Sequence, residues 1–212
     1  MSVDRNKLKL TAMLLLIAVP LTLATVAFYR NVDTGNYKSN SKGTLVVPVV
    51  DITELQLKDA EGNKAYLGFE ELTANVTPKD YKPRPWQLLY FGSDSCDNAC
   101  QERLHFLRQL HQRLAAESSR VERAYVLTGA ATVSEETKAF MSQQVPDMRV
   151  IYGQTEVLQS VLMRTSSQDP LGNHYIYVMD PVGNVMMFFT PENGPDDILA
   201  DLKKLLKSSS LG

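Results

Sequence analysis

The sequence has no excess of positive charge, no internal repeat and very little cysteine. Its 22 Lys and Arg residues against 24 Asp and Glu residues give a formal net charge of −2, which offers no electrostatic basis for binding nucleic acid. A repeat with a period of about 20 to 50 residues is absent, as is any long low-complexity run, which excludes solenoids and propellers. The content of 44% hydrophobic and 22% charged residues is ordinary for a globular protein. Distinctive chemistry therefore has to come from few residues, among them the two cysteines, Cys96 and Cys100.

The two cysteines follow a short apolar run. Trp86 to Phe91 is apolar at all but one position, which predicts a strand buried on both faces of a sheet. Gly92 to Ser95 supply a turn, and an amphipathic pattern then predicts a helix from about Asn98 to Glu117. Positions four apart share a helix face, so the two sulfurs can meet, and a helix N-terminus lowers a thiol pKa. The junction indicates redox or soft-metal chemistry, with Cys96 the more exposed sulfur and Cys100 on the core side.

The N-terminal segment predicts a membrane anchor. Residues 1–9 carry three cations against one acid, and the run Leu10 to Phe28 is uncharged and mostly apolar. This pattern predicts a cytoplasmic N-terminus at 1–9 and a transmembrane helix at 10–29, with the rest of the chain across the membrane. A cleaved signal sequence is the alternative. In either case the domain is exported to a compartment where thiols can be oxidised, so we expect a single-pass protein of a bacterial inner membrane with a periplasmic domain.

After the anchor, the sequence predicts a flexible tether at 30–44, one domain at 45–208 and a tail at 209–212. Within the domain, apolar periodicity and turn signals alternate between strand and helix. The predicted elements in chain order are an edge strand at Leu45–Val50, a hairpin around Glu61–Asn63, the strand and helix at the cysteines, a strand at Val121–Leu127, a helix at Ser134–Gln144, a strand at Arg149–Tyr152, a helix at Gln154–Arg164, strands at His174–Asp180 and Val185–Thr190, and a helix at Pro195–Lys207.

This order of elements is that of a thioredoxin-like α/β domain, in which a central mixed sheet is flanked by helices. The parallel crossovers come first, and an antiparallel hairpin forms the later part of the sheet. The cysteine turn directly after the first central strand fits the same fold class.

The cysteine turn also resembles the signature of a known family. The stretch Leu-Leu-Tyr-Phe-Gly-Ser-Asp-Ser-Cys-Asp-Asn-Ala-Cys, which ends at Cys100, is similar to the Tyr-Phe-Gly-Tyr-Thr-x-Cys-Pro-x-x-Cys signature of the SCO/SenC family. That family consists of membrane-anchored, thioredoxin-like copper proteins that serve assembly of the CuA centre of cytochrome c oxidase. Asp180-Pro181-Val182-Gly183 matches the Asp-Pro-x-Gly at the end of a family strand. The run from Asn173 to Phe189 is more similar to a divergent SCO-like group found with bacterial oxidase assembly genes.

The resemblance implies a copper site. In the family, the two cysteines and a distant histidine bind copper, and the histidine precedes the strand that ends in Asp-Pro-x-Gly. Carried over to this sequence, the ligands are Cys96, Cys100 and His174. Two thiolates and one imidazole suit Cu(I) best, and Cu(II) is also allowed. The implied partners are subunit II of cytochrome c oxidase or other oxidase assembly factors.

Two other roles for the cysteine pair stay open. In thiol–disulfide exchange, Cys96 attacks and Cys100 resolves, which keeps the CuA cysteines of a partner reduced. Alternatively, the pair is a structural disulfide, or two idle thiols, in a non-catalytic assembly scaffold. A peroxidase role is disfavoured, because the four residues before Cys96 lack the proline of the usual peroxiredoxin turn. A copper site predicts that His174 converges with the cysteines, exchange predicts an exposed Cys96, and a structural role predicts a buried bridge.

Overall fold

The computed structural model describes residues 5–33, 41–74, 76–77, 80–165 and 168–209. It contains two compact units, Met1–Asn40 and Ser41–Gly212. The predicted positions 1–4 of the cytoplasmic N-terminus, 34–40 of the tether and 210–212 of the tail lie outside the described residues.

In the first unit, helix α1 spans Arg5–Asp33 and includes the segment 10–29 that the sequence predicts as a transmembrane anchor. Across the described ranges, no helix combines the length and the apolar character required to cross a membrane. The predicted helix is therefore present, but its membrane-spanning character is not confirmed.

The second unit alternates strands with helices in the predicted order. In chain order its elements are β1 (Thr44–Asp51), a 3-10 helix (Ile52–Leu55), α2 (Phe69–Thr73), β2 (Trp86–Gly92), α3 (Asn98–Arg113), a second 3-10 helix (Ala115–Arg120), β3 (Val121–Thr128), α4 (Glu135–Gln144), β4 (Arg149–Gly153), α5 (Thr155–Leu162), β5 (Ile176–Met179), β6 (Asn184–Phe189) and α6 (Pro195–Ser208).

The strands of the second unit form one mixed sheet in the order β1-β6-β5-β2-β3-β4. β2, β3 and β4 run parallel to one another, whereas β5 pairs antiparallel with β2, β6 with β5 and β1 with β6. The predicted mixed thioredoxin-like sheet is confirmed.

Both faces of the central strand β2 are buried, as its apolar sequence predicts. Tyr90 belongs to the core on one face together with Leu104 of α3 and Ile198 of α6. Leu89 belongs to the core on the other face together with Leu158 of α5. Burying each side chain of this size stabilises the fold by roughly 2 kcal/mol, so β2 is fixed between two helical layers.

The position of the cysteines follows from the direction of the strands. The carboxyl ends of parallel strands meet at one edge of a sheet, and both α3 and α4 begin at that edge, after β2 and β3. Asp97 caps α3 by accepting from the Cys100 amide, and Ser134 caps α4 by accepting from the Thr137 amide. The second cap confirms the helix start predicted at Ser134, and together the caps bring two helix N-termini to the cysteine turn.

The sequence predicts the β1 edge of the sheet correctly but not the pairing at the β4 edge. β1 is an edge strand, as expected, and its Val47–Pro48 peptide bond is cis. The predicted hairpin around Glu61–Asn63 is reduced to a single bridge between Lys58 and Lys64, and Lys58 also bridges Tyr152 of β4. The segment therefore pairs with the outer edge of β4 as well as with itself.

Two predicted boundaries shift where the backbone becomes left-handed. The helix predicted to reach Glu117 ends at Arg113 and gives way to a 3-10 helix beginning at Ala115, whose φ is 50°. The strand predicted from His174 begins at Ile176, because His174 has a φ of 51° and cannot continue an extended strand.

Candidate functional site

Cys96 and Cys100 form a disulfide across the first turn of α3. Their Cα atoms are 5.2 Å apart, within the range that a disulfide requires. The turn is held by its own polar groups: the Cys100 amide donates to Oδ1 of Asp97 at 2.9 Å, and Nε2 of Gln101 donates to the Cys96 carbonyl at 3.0 Å. The prediction that the two sulfurs meet is confirmed.

Both cysteines are buried. Cys96 is 8% exposed and Cys100 is 4% exposed, so Cys96 is the more exposed sulfur, as predicted, but only by a small margin. The exposed Cys96 that exchange predicts is not found in this disulfide form, and the burial itself matches the structural bridge. The two residues nevertheless differ in their surroundings. Cys96 lines a cleft of about 240 Å³, whereas Cys100 packs inward with its Sγ 3.9 Å from the Tyr125 hydroxyl. An incoming sulfur therefore reaches the disulfide from the Cys96 side.

The N-terminus of α4 covers Cys96. The Cys96 amide donates to Oγ1 of Thr137 at 3.0 Å, and the Ser134 amide donates to the Asp94 carbonyl at 2.9 Å. Thr137 is 2% exposed. These bonds tie the cysteine turn to a second helix, which explains why Cys96 is less exposed than its place at a helix start suggests.

Two buried tyrosines lie behind the disulfide. The Tyr125 hydroxyl donates to the Ser93 carbonyl at 2.6 Å, and its ring centroid is 5.8 Å from that of Tyr90. Burial, reinforced by the carboxylates of Asp94 and Asp97, raises the pKa of Tyr125. Burial is also the main cause of the raised pKa of Tyr90. Both hydroxyls therefore stay protonated, and the proton of Tyr125 is directed at Ser93, away from Cys100.

His174 does not adjoin the sulfurs. Its Nδ1 is 2.7 Å from the Tyr90 hydroxyl, and its carbonyl accepts from Nε of Arg103 at 3.1 Å. It lines a separate cleft of about 330 Å³, together with Phe106 and Asn193 among others. Cys96 and His174 thus face different clefts on either side of the first turns of α3.

The described part of the chain contains no group of three or more His, Cys, Asp or Glu residues placed to hold a metal ion. The two sulfurs are bonded to each other, so neither can act as a thiolate ligand in this state, and Nδ1 of His174 is engaged by Tyr90. The donor set predicted for copper, Cys96, Cys100 and His174, is brought together only at the two cysteines. In this disulfide form, the described residues contain no metal site, and the three-ligand copper site stays a prediction.

Several residues at the site were not singled out from the sequence. Arg103 is 8% exposed, and its Nη2 donates to the Thr190 carbonyl at 2.9 Å, so it joins α3 both to the loop of His174 and to the end of β6. Burial lowers the pKa of its guanidinium. Thr137, Tyr90 and Tyr125 were also missed. The one available signal was the polar character of Thr137 and Arg103 on otherwise apolar helix faces.

Comparisons with known proteins agree with this fold. A family model described as "Transmembrane-like, thioredoxin-like, C-terminal domain" matches residues 86–209. No curated protein matches the chain.

Three solved structures share the architecture. Yeast Sco1 has a TM-score of 0.52 at 14% identity, covering 83% of this chain and 99% of that one. Yeast Sco1 with copper bound has a TM-score of 0.50 at 16% identity, covering 81% and 96%. Apo Sco1 from Thermus thermophilus has a TM-score of 0.51 at 16% identity, covering 80% and 99%. At these identities the likeness shows the fold alone, and it confirms the predicted thioredoxin-like fold.

Proposed function

The chain belongs to the family of transmembrane-like, thioredoxin-like C-terminal domains, and we propose that it exchanges its disulfide with the cysteine pair of a partner in cytochrome c oxidase assembly. The observation that carries the proposal is the Cys96–Cys100 disulfide at the start of α3, in which Cys96 lines the cleft of about 240 Å³ and Cys100 is not among the residues that line it. An exchange protein needs this asymmetry, because one sulfur must meet the partner and the other must stay inside.

The roles of the two sulfurs follow from their surroundings. In the reduced protein, the Cys96 thiolate at the helix N-terminus attacks a partner disulfide, forming a mixed disulfide and releasing one partner thiolate. Cys100 then attacks the Cys96 sulfur, which closes the Cys96–Cys100 disulfide and releases the second partner thiolate. Because the Tyr125 hydroxyl donates its proton to the Ser93 carbonyl, Tyr125 gives Cys100 no hydrogen bond that favours its thiolate. Cys96 is therefore the better first nucleophile, and Cys100 attacks second.

The partner we propose is subunit II of cytochrome c oxidase, whose CuA cysteines must be reduced before they take copper. This part of the proposal rests on the SCO/SenC resemblance of the cysteine turn. The proposed location, a bacterial inner membrane with the domain in the periplasm, rests on the charge and hydropathy of residues 1–30.

Copper binding is the second candidate, with Cu(I) as cargo. The observation in its favour is that reduction would leave two soft sulfur donors within one helical turn, on a fold shared with a yeast Sco1 that has copper bound. Titration of the reduced chain with Cu(I) against a competing chelator tests it. Loss of binding in both Cys96→Ser and Cys100→Ser would support a cysteine-only site. If His174→Ala also weakened binding, His174 would be the third ligand.

Trapping of the mixed disulfide tests the exchange proposal. The full chain carrying Cys100→Ser, incubated with a disulfide-containing peptide, should accumulate a covalent adduct at Cys96, because the resolving sulfur is missing. The matched variant Cys96→Ser should form adduct at least about tenfold more slowly, since Cys100 is buried against Tyr125. Equal labelling of both variants would contradict the assigned roles. Labelling of neither variant would contradict exchange and identify the Cys96–Cys100 pair as a structural disulfide.

A further inference from the structure

We propose that the cleft beside Cys96 selects its sulfur partner by charge, accepting cysteines flanked by cationic groups and disfavouring those flanked by anionic groups. The inference rests on the proposed exchange function, since it concerns the cleft through which the partner sulfur must reach Cys96. It adds the chemistry of the partner surface, which neither the fold nor the cysteine spacing specifies.

The cleft is polar and carries charge of one sign. Its lining residues are Ser95, Cys96, Asp97, Asn98, Gln101, Ser134, Glu136 and Thr137. The two charged members, Asp97 and Glu136, are both acidic and exposed, and no Lys, Arg or His lines the cleft. Asp94, also exposed, lies two positions before Cys96.

These carboxylates are not neutralised by neighbouring cations. Among the described residues, the ion pairs include none that involves Asp94, Asp97 or Glu136. The one lysine on the first turns of α4, Lys138, is paired at 2.7 Å with Glu135, which does not line the cleft. The charge of the carboxylates therefore acts on whatever enters.

The helix N-termini act in the opposite direction but are weaker. Each of α3 and α4 contributes roughly half a positive charge at its start, about one charge together. The carboxylates of Asp97 and Glu136, which line the cleft, and of nearby Asp94 contribute three negative charges. The summed charge around the cleft is therefore about minus two. The attacking thiolate is itself negative and is repelled by this charge; a cationic group beside it offsets the repulsion, and an anionic group beside it adds to the repulsion.

Three small thiols that differ in charge test the inference on the oxidised full chain. Each thiolate attacks Cys96 to form a mixed disulfide and release Cys100, and a second molecule of the same thiol releases Cys96 as a thiol and leaves as the symmetric disulfide. The probes are cysteamine, 2-mercaptoethanol and 3-mercaptopropionate, which are cationic, neutral and anionic. Rates are measured by alkylation and mass spectrometry and are expressed per thiolate with correction for nucleophilicity.

We expect cysteamine to react about tenfold faster than 3-mercaptopropionate at low ionic strength, with 2-mercaptoethanol between them, and the ratio to fall severalfold in about 0.5 M salt. The double variant Asp97→Asn and Glu136→Gln should reduce the ratio to about threefold or less. Asparagine retains the oxygen that caps α3, so the helix start is preserved. The matched control is Glu156→Gln, an exposed acid on α5, which packs on the opposite face of the sheet and should leave the ratio unchanged.

The outcomes separate this inference from the function on which it rests. Equal rates for the three thiols, or a ratio unaffected by the double variant, would overturn charge selection and leave exchange intact. A disulfide that none of the thiols reduces would overturn the exchange function itself.

Discussion

The Tyr90 hydroxyl lies 2.7 Å from Nδ1 of His174, and the Tyr90 ring packs on Tyr125, whose hydroxyl in turn contacts Sγ of Cys100. His174 is thus connected to the disulfide through two tyrosines and does not touch it. This arrangement separates the redox pair from the histidine that the family resemblance assigns as a copper ligand, and it makes the tyrosines part of the support of the site.

Removing the Tyr90 hydroxyl should cost stability without changing the redox pair. Tyr90→Phe leaves Nδ1 of His174 without its partner, which should lower the free energy of unfolding by about 1 kcal/mol in urea denaturation. The reduction potential of the disulfide should be unchanged, because His174 is not beside it. A potential that shifted with Tyr90→Phe but not with Tyr175→Phe, whose hydroxyl has only a long 3.5 Å contact, would contradict this separation.

The glycine that ends β2 should resist substitution because Tyr125 occupies the adjacent space. A Cβ at Gly92 would clash with the Tyr125 hydroxyl oxygen and lie 2.5 Å from its Cζ. Gly92→Ala should therefore destabilise the oxidised protein by roughly 1 to 3 kcal/mol. Gly68→Ala is the comparison, since its added carbon meets only Thr53 at 3.4 Å and should cost less. An equal loss of unfolding free energy in the two variants, measured by thermal or denaturant unfolding, would show that the Tyr125 side chain moves aside without cost.

A buried carboxylate holds the start of the second unit. Oδ2 of Asp201, which is 2% exposed, accepts from the amides of Lys42 and Gly43. Asp201→Ala should lower the free energy of unfolding by about 1 to 3 kcal/mol, because both amides, of which that of Gly43 is buried, lose their acceptor. Asp201→Asn keeps an acceptor oxygen and should cost less. Should the two variants prove equally stable in guanidinium titrations, the hydrogen bonds to Asp201 would not be what holds this segment.

Three buried tyrosines should make the protein sensitive to high pH. Burial raises the pKa of Tyr66 to about 12, and it also raises the pKa of Tyr90 and of Tyr125. The unfolded chain ionises its tyrosines near pH 10, so their contribution to stability is complete below about pH 10 and declines above it.

The measurement for this prediction is the free energy of unfolding between about pH 8 and pH 12, together with tyrosine absorbance. The buried tyrosines should ionise only as the protein unfolds. Tyr66→Phe should make the decline above about pH 10 less steep. A flat stability profile across this range would show that these hydroxyls ionise equally easily in the folded and unfolded chains.

The sequence predicts the frame of the fold because its signals are local. The apolar run of β2, the Ser134 cap and the start of α6 at Pro195 each depend on a few neighbouring residues, and each is found where predicted. The proximity of the Cys96 and Cys100 sulfurs also follows from their spacing along one helical turn.

The rest of the site depends on contacts that no local pattern contains. Cys96 is buried because the N-terminus of α4 lies against it, and α4 begins 39 residues later at Glu135. His174 is turned by a left-handed backbone conformation, which is adopted without a glycine and so gives no sequence signal. The pairing of Tyr90 with His174 spans 84 positions along the chain.

The reduction potential of the Cys96–Cys100 pair in the full chain tests the exchange function most directly. Equilibration with glutathione buffers of known ratio, followed by alkylation and mass measurement, gives the potential. The exchange function predicts reversible reduction at a potential above about −300 mV, where catalytic and labile disulfides lie. A disulfide that stays oxidised throughout the glutathione range, with a potential below about −300 mV, would contradict exchange and identify the pair as a structural bridge.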